Sequence, residues 1–162
     1  MLFKNKYRIE STRLKGYDYS NTGAYFITIL TKNCKCYFGQ IQNEKMFLNE
    51  FGKIVNNYWK EIPKHFPYVI LDEYIVMPNH VHGIIILDEF KTLEKRQPVG
   101  TIINQFKRIC TITLRMIDIH FGWHPRFHDH IIRDEKELNR VRQYIIDNPK
   151  NWKSDDNFIS DK

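Results

Sequence analysis

Two histidines separated by one residue are the most chemically informative feature of the chain. His80 and His82 flank Val81 within residues 77–83 (MPNHVHG), and the apolar run 84–87 (IIIL) follows directly. Side chains alternate across a β-strand, so the two imidazoles would share one face, as half of a divalent-metal site does. The apolar flanks indicate a central strand that would hold the pair rigidly. The same spacing also arises from one buried and one hydrogen-bonded histidine, so other residues must decide between these alternatives.

A tyrosine near the C terminus is the second candidate for chemistry. Leu138, Val141 and Ile145 recur at helical spacing and predict an apolar stripe. Tyr144 falls at the edge of that stripe, and Asn148 lies one turn further along the same side. A tyrosine in this position is either a core residue with its hydroxyl at the surface or a nucleophile packed against the histidine strand.

A metal would make nucleophilic attack by Tyr144 feasible. A phenol has a pKa near 10 and is a weak nucleophile unless it is assisted. A metal held by His80 and His82 would polarise a phosphodiester and neutralise its charge, and Asn148 could add an oxygen ligand. Imidazole and oxygen ligands suit Mg²⁺ or Mn²⁺. A phosphotyrosine ester stores the energy of the broken bond, so no ATP is needed. Consistently, the seven glycines form neither a P-loop nor a dinucleotide-binding pattern, and no nucleotide cofactor is expected.

The charge of the chain favours a polyanionic partner. The net charge is +6 and the isoelectric point is about 9.2. Any single basic residue can be a solvated surface residue, and it is their sum that favours nucleic acid. The candidate DNA-binding residues are Arg13, Lys15, Lys107, Arg108, Arg133 and Arg140.

The cysteines and the apolar runs indicate the cellular compartment. Cys34, Cys36 and Cys110 are an odd number without CxxC spacing, so neither a disulfide framework nor a zinc ribbon is expected. No stretch approaches the roughly 20 apolar residues that span a bilayer, and the first residues do not form a signal peptide. The sequence predicts a soluble, cytoplasmic protein with no membrane partner.

The order of predicted elements indicates one α+β domain over residues 1–162. The antiparallel sheet would carry the histidines on a central strand, with helices packed on it, as in ferredoxin-like or RNA-recognition-type (RRM-like) sandwiches. The predicted segments are a basic arm (1–22), a strand (24–31), a hairpin (36–48), a helix capped by Asn49 (50–61) and closed by Pro63, two strands (68–76 and 80–87), a charged loop (88–98), a helix (99–117), a strand (123–133), a helix capped by Asp134 (135–147) and a frayed tail (153–162).

Taken together, the motifs resemble those of the single-tyrosine HUH transposases, in particular the REP-associated tyrosine transposases of bacteria. The similarity extends from about residue 11 to residue 152. The similar blocks, in order along the chain, are 13–19 (RLKGYDY), 23–28 (GAYFIT), 48–52 (LNEFG), 74–82 (YIVMPNHVH), 127–133 (FHDHIIR) and 144–149 (YIIDNP).

The resemblance implies a specific activity. His80 and His82 would be the metal-binding HUH pair, and Tyr144 would attack single-stranded DNA beside a hairpin, leaving a 5′-phosphotyrosine and a free 3′-OH. Asn148 lies where relatives place a third ligand, often Gln. The protein would be a transposase associated with the bacterial nucleoid, acting as a monomer or a homodimer.

Three alternatives compete with this interpretation. His128-Asp129-His130 is a second His-x-His, which we interpret as positioning or DNA-contacting rather than as the metal site. A non-catalytic RRM-like nucleic-acid-binding protein would stack bases on Tyr25 and Phe26. An HUH replication initiator or relaxase would use the same chemistry, and the short chain disfavours it.

Overall fold

A computed structural model describes residues 23–88 and 97–159. The predicted basic arm at 1–22 and most of the predicted charged loop lie outside these residues. In chain order the elements are β1 (Gly23–Leu30), β2 (Gly39–Gln42), β3 (Lys45–Leu48), α1 (Glu50–Lys60), α2 (Ile62–His65), β4 (Val69–Met77), β5 (His80–Leu87), α3 (Val99–Leu114), β6 (His128–Ile132) and α4 (Glu135–Ile146). None of the described helices is long and apolar enough to cross a membrane.

The main sheet has four antiparallel strands in the order β4-β5-β1-β6. Strands β1, β4, β5 and β6, with α1 and α3 between them, follow the β-α-β-β-α-β order of ferredoxin-like folds. The predicted α+β sandwich is therefore confirmed. β5, which carries the histidines, is an interior strand between β4 and β1, as predicted.

The two faces of the sheet pack against different helices. Side chains from β1 and β5 alternate between the faces. One set, including Ile27 and Ile85, forms the larger core with α1 and α3. The other set, including Phe26 and Ile84, packs against Val141 and Ile145 of α4. Helix α4 therefore lies alone among the described helices on the face to which His80 and His82 belong.

Side-chain caps fix the starts of two helices where the sequence predicts them. The Asn49 side chain accepts from the Gly52 amide at 2.9 Å, which begins α1. The Asp134 side chain accepts from the Glu137 amide at 2.7 Å, which begins α4. Because such caps depend on adjacent residues, they can be read from sequence.

Glycine at position 83 allows α1 to approach β5 closely. A Cβ at Gly83 would lie 2.3 Å from a ring carbon of Trp59, which is itself fully buried. The indole therefore packs directly against the strand that carries His82. A side chain at position 83 would push the two elements apart.

Four boundaries differ from the prediction. Pro63 does not close α1; it sits in the first turn of α2, where its missing amide is tolerated. Helix α3 ends at Leu114 because the chain turns back to bury Phe121. The strand predicted over 123–133 is confined to His128–Ile132, since Pro125 interrupts the ladder after an isolated Trp123–Thr31 bridge.

The fourth difference is the tail. The segment from residue 153 was predicted to fray because it is polar. Instead, Trp152–Ser154 forms a 3-10 turn and Asp155 is buried. The reason is tertiary: the Asn79 side chain donates to the Asn157 carbonyl at 2.6 Å and holds this segment against the sheet.

Candidate active site

His80 and His82 lie side by side at the start of β5. Both are fully buried, and their ring centroids are 4.4 Å apart. The register pairs His82 with Thr28 on β1 and with Ile75 on β4, so neighbours on both sides fix the pair. The shared strand face predicted from the spacing is the arrangement that the structure has.

Hydrogen bonds engage the Nδ1 atom of each ring. Asn79 Oδ1 lies 2.7 Å from His80 Nδ1, and Thr28 Oγ1 lies 2.9 Å from His82 Nδ1. The Asn79 amide cannot be turned round, because its Nδ2 donates to the carbonyls of Cys34 (3.0 Å) and Asn157 (2.6 Å). Its Oδ1 can only accept, so the His80 proton is on Nδ1. In the neutral ring the lone pair is therefore on Nε2, as a metal ligand requires.

Asp155 completes a group that could hold a metal ion. Ligand atoms of His80, His82 and Asp155 lie within 4.8 Å of one another, and all three residues are buried. Sequence reasoning missed Asp155 because it belongs to a polar tail without periodicity. The only nearby signal was Trp152, whose ring packs 6.0 Å from that of His80 and anchors the segment.

Asn148, the ligand candidate predicted from sequence, is also at this site. It is buried, and its Oδ1 lies 3.4 Å from His80 Nε2. With Nδ1 of His80 protonated, a neutral ring would oppose two lone pairs at this distance. A cation between them, or an Asn148 amide turned so that its Nδ2 donates to Nε2, would turn that repulsion into attraction.

Tyr144 projects from α4 toward the same group. Its ring centroid is 5.5 Å from that of His82 and 6.0 Å from that of Phe26, and the side chain is half-buried. The tyrosine is therefore held against the histidine strand, as the nucleophile alternative required.

One hydrogen bond and one ion pair anchor α4 across the sheet. At its first turn, Glu137 Oε1 lies 2.5 Å from His130 Nε2 on β6. In its middle, Arg142 donates to both carboxylate oxygens of Asp72 on β4, at 2.7 and 2.6 Å. The hydrogen bonds from Arg142 hold the pKa of Asp72 below its usual value. These contacts fix the orientation of the helix that carries Tyr144.

The predicted DNA-binding residues are not gathered at the histidine pair. Arg133 and Arg140 are exposed, Arg133 just before α4 and Arg140 within it. Lys107 and Arg108 lie on α3, on the opposite face, and line a groove of about 530 Å³ that also contains Lys32 and Arg115. Burial lowers the pKa of Lys107, whose ammonium donates to the His124 carbonyl. The other two candidates, Arg13 and Lys15, lie outside the described residues.

The aromatic residues proposed for base stacking are not available. Tyr25 is fully buried in the larger core, and Phe26 is 2% exposed beneath α4. A binding mode that stacks bases on these two rings would require both cores to open. This observation contradicts the RRM-like stacking alternative.

Comparison with known proteins finds one relative of the same family and a more distant one that is assigned as a transposase. No family model matches the chain. An uncharacterized protein of Haemophilus influenzae is 40% identical over 166 residues, with 92% of each chain covered, so the two belong to one family. Another protein of that organism, assigned as a REP-associated tyrosine transposase, is 24% identical and covers 82% of this chain and 73% of its own length.

Two solved structures of proteins named as transposases have a similar fold. A REP-associated tyrosine transposase bound to a REP hairpin matches with a TM-score of 0.54 and 20% identity, over 86% of this chain and 73% of the other. The chain has the fold of a REP-associated tyrosine transposase. A protein assigned as a transposase of Deinococcus radiodurans matches with a TM-score of 0.52 and 15% identity, over 83% and 95%. The resemblance predicted from the sequence motifs is thus confirmed.

Proposed function

We propose that this protein is a transposase: a metal-dependent endonuclease and strand transferase for single-stranded DNA flanked by a hairpin. Tyr144 would cleave the DNA through a 5′-phosphotyrosine intermediate and rejoin it without ATP. The observation that supports this most directly is the placement of the Tyr144 ring 5.5 Å from His82, beside a buried group of potential metal ligands. The transposase fold gives the proposal its reaction class.

The donor set at the site fits a divalent ion. His80 and His82 would supply nitrogen, and Asp155 and Asn148 would supply oxygen, a mixture that Mn²⁺ accepts readily and Mg²⁺ accepts when water fills the remaining positions. The Asn79 contact fixes the tautomer that such a ligand needs. When bound, the ion would supply positive charge against the phosphate and its developing negative charge.

The chain's own residues supply the nucleophile and its position. Tyr144 Oη attacks phosphorus, the new phosphotyrosine bond forms, and the bond to the 3′-oxygen breaks. Phe26 and His82 hold the ring, while the Arg142–Asp72 ion pair and the His130–Glu137 hydrogen bond hold α4 in place. Holding the nucleophile in this orientation lowers the entropic part of the activation barrier, because less freedom is lost when Tyr144 meets the phosphate.

The proposed partner is DNA with a hairpin, because the solved relative binds a REP hairpin and this chain carries a net charge of +6. Arg140 lies one helical turn before Tyr144 on α4 and Arg133 directly precedes that helix, so both would contact the strand that reaches Tyr144. Lys107 and Arg108 face away from it and would instead contact another part of the same DNA. Because phosphate contacts release counterions, affinity should fall steeply with salt.

Cleavage of an end-labelled oligonucleotide tests the proposal. A hairpin with single-stranded flanks is incubated with the protein and Mg²⁺ or Mn²⁺, then separated on a denaturing gel. A label at the 3′ end should move with the protein, while the 5′-labelled fragment should be released with a 3′-OH that a polymerase can extend. The opposite distribution of labels, or cleavage that survives EDTA, contradicts the proposal.

Two phenylalanine variants identify the nucleophile. Tyr144→Phe should fold and bind DNA yet form no adduct, since only the hydroxyl is removed. Tyr74→Phe is the matched control: this hydroxyl donates to Asn56 Oδ1 at 3.0 Å on the other side of the sheet from Tyr144. An adduct in the Tyr144→Phe protein would refute the assignment.

A further inference from the structure

The exposed margin of the candidate site is formed by β6. His80, His82 and Thr28 are buried, and Trp152 covers the His80 side. By contrast, two of the three β6 residues on this face, His128 and His130, are only partly buried, whereas Ile132 is buried against α4. Among the described residues, the margin of β6 is therefore where a DNA strand reaching Tyr144 would meet the sheet.

His128 lies in the same cross-strand row as the metal-binding candidates. The register pairs Thr28 with His82 on one side and with His128 on the other, so the three side chains share one face. Phe127 and Ile131 pack into the core on the opposite face, which agrees with this alternation. Two strand spacings, about 10 Å, separate the backbones of His82 and His128, with Thr28 between them. A phosphate group bound over Thr28 could contact both histidine side chains.

The other histidines outside the metal group lie in another row of the sheet or on other elements. His130 lies one row further along β6 and pairs with Glu137. His124 accepts from the Arg126 amide and is exposed in the preceding loop, and His120 is exposed in the loop after α3. His65 lies on α2, which packs on the opposite face. Only His128 combines the site face with the row of His82.

We propose that His128 is the general acid that protonates the leaving 3′-oxygen during cleavage. As the bond from Tyr144 Oη to phosphorus forms, the bond to the 3′-oxygen breaks and that oxygen takes a proton from the His128 imidazolium. The phenolic proton passes to water, and His128 is left neutral beside the new 3′-OH. During rejoining, neutral His128 removes the proton from the attacking 3′-OH, as microscopic reversibility requires.

The inference rests on the proposed function, and a sulfur substitution in the DNA allows the two to be tested separately. A 3′-bridging phosphorothiolate has a thiol leaving group with a far lower pKa than an alcohol, so it departs without a general acid. On ordinary DNA, His128→Gln should form the Tyr144 adduct roughly 100-fold or more slowly than the wild type in single turnover. On the phosphorothiolate, the same variant should come within about 10-fold of the wild type.

Matched controls make each outcome decisive. His120→Gln should leave the rates on both substrates unchanged. Thermal unfolding checks that His128→Gln is folded. His128→Asn is made as a second variant at the same position. An equal loss on both substrates by a folded variant, or no loss on ordinary DNA, overturns the role of His128 and leaves the proposed function standing. Absence of a Tyr144 adduct in the wild type overturns both.

Discussion

Replacing Asn79 by Ala removes the residue that links the histidine pair to the C-terminal segment. Its buried side chain makes three hydrogen bonds: to His80 Nδ1 (2.7 Å), to the Cys34 carbonyl (3.0 Å) and to the Asn157 carbonyl (2.6 Å). The first sets the His80 tautomer, and the third holds the segment that carries Asp155. We therefore expect Asn79→Ala to lower both stability and metal affinity.

The magnitude follows from these contacts. At about 1 kcal/mol for each bond, the free energy of unfolding should fall by about 3 kcal/mol. Contacts of this kind around a metal ligand are worth roughly 10- to 100-fold in affinity. A domain of this size has about 5–15 kcal/mol of stability, so Asn79→Ala should remain folded at room temperature and its metal affinity should be measurable.

Asn79→Asp separates the two effects. The carboxylate can still accept from His80 Nδ1, but it cannot donate to the two carbonyls. We expect this variant to lose stability in urea denaturation while binding Mn²⁺ more tightly than Asn79→Ala in calorimetry. If Asn79→Ala binds Mn²⁺ as tightly as the wild type, our explanation of the His80 tautomer is wrong.

Three further outcomes follow from the packing and the charges. Gly83→Ala should lower the free energy of unfolding by about 1–3 kcal/mol, because the new methyl group meets the buried Trp59 ring; urea denaturation measures it. Asp155→Asn should weaken Mn²⁺ binding roughly 10-fold in calorimetry, since one ligand charge is lost, while Asp156→Asn serves as a neighbouring control. Asp72→Asn should cost about 1 kcal/mol at neutral pH. Because Arg142 lowers the pKa of Asp72 below 3.8, that stability is present above the unfolded pKa and lost as pH falls through the folded one. A difference from wild type that persists in strong acid would contradict this account.

Periodicity and adjacent contacts determined much of the fold from the sequence alone. The alternation of side chains placed His80 and His82 on one face, and the apolar flanks predicted an interior strand. The caps at Asn49 and Asp134 began helices at the predicted residues because each involves an amide three residues away. The reaction class that we propose was inferred from sequence motifs, and the cleavage assay tests it.

Only the tertiary structure decided which residues meet. Asp155 joins the histidines because Trp152 and Asn79 hold a polar segment in place, and no local pattern in that segment signals its burial. Likewise, Lys107 belongs to a helix packed on the opposite face, so its positive charge lies away from Tyr144. The periodicity of a sequence indicates which face of a helix or strand each residue occupies. Which other element packs against that face depends on the tertiary structure of the whole chain.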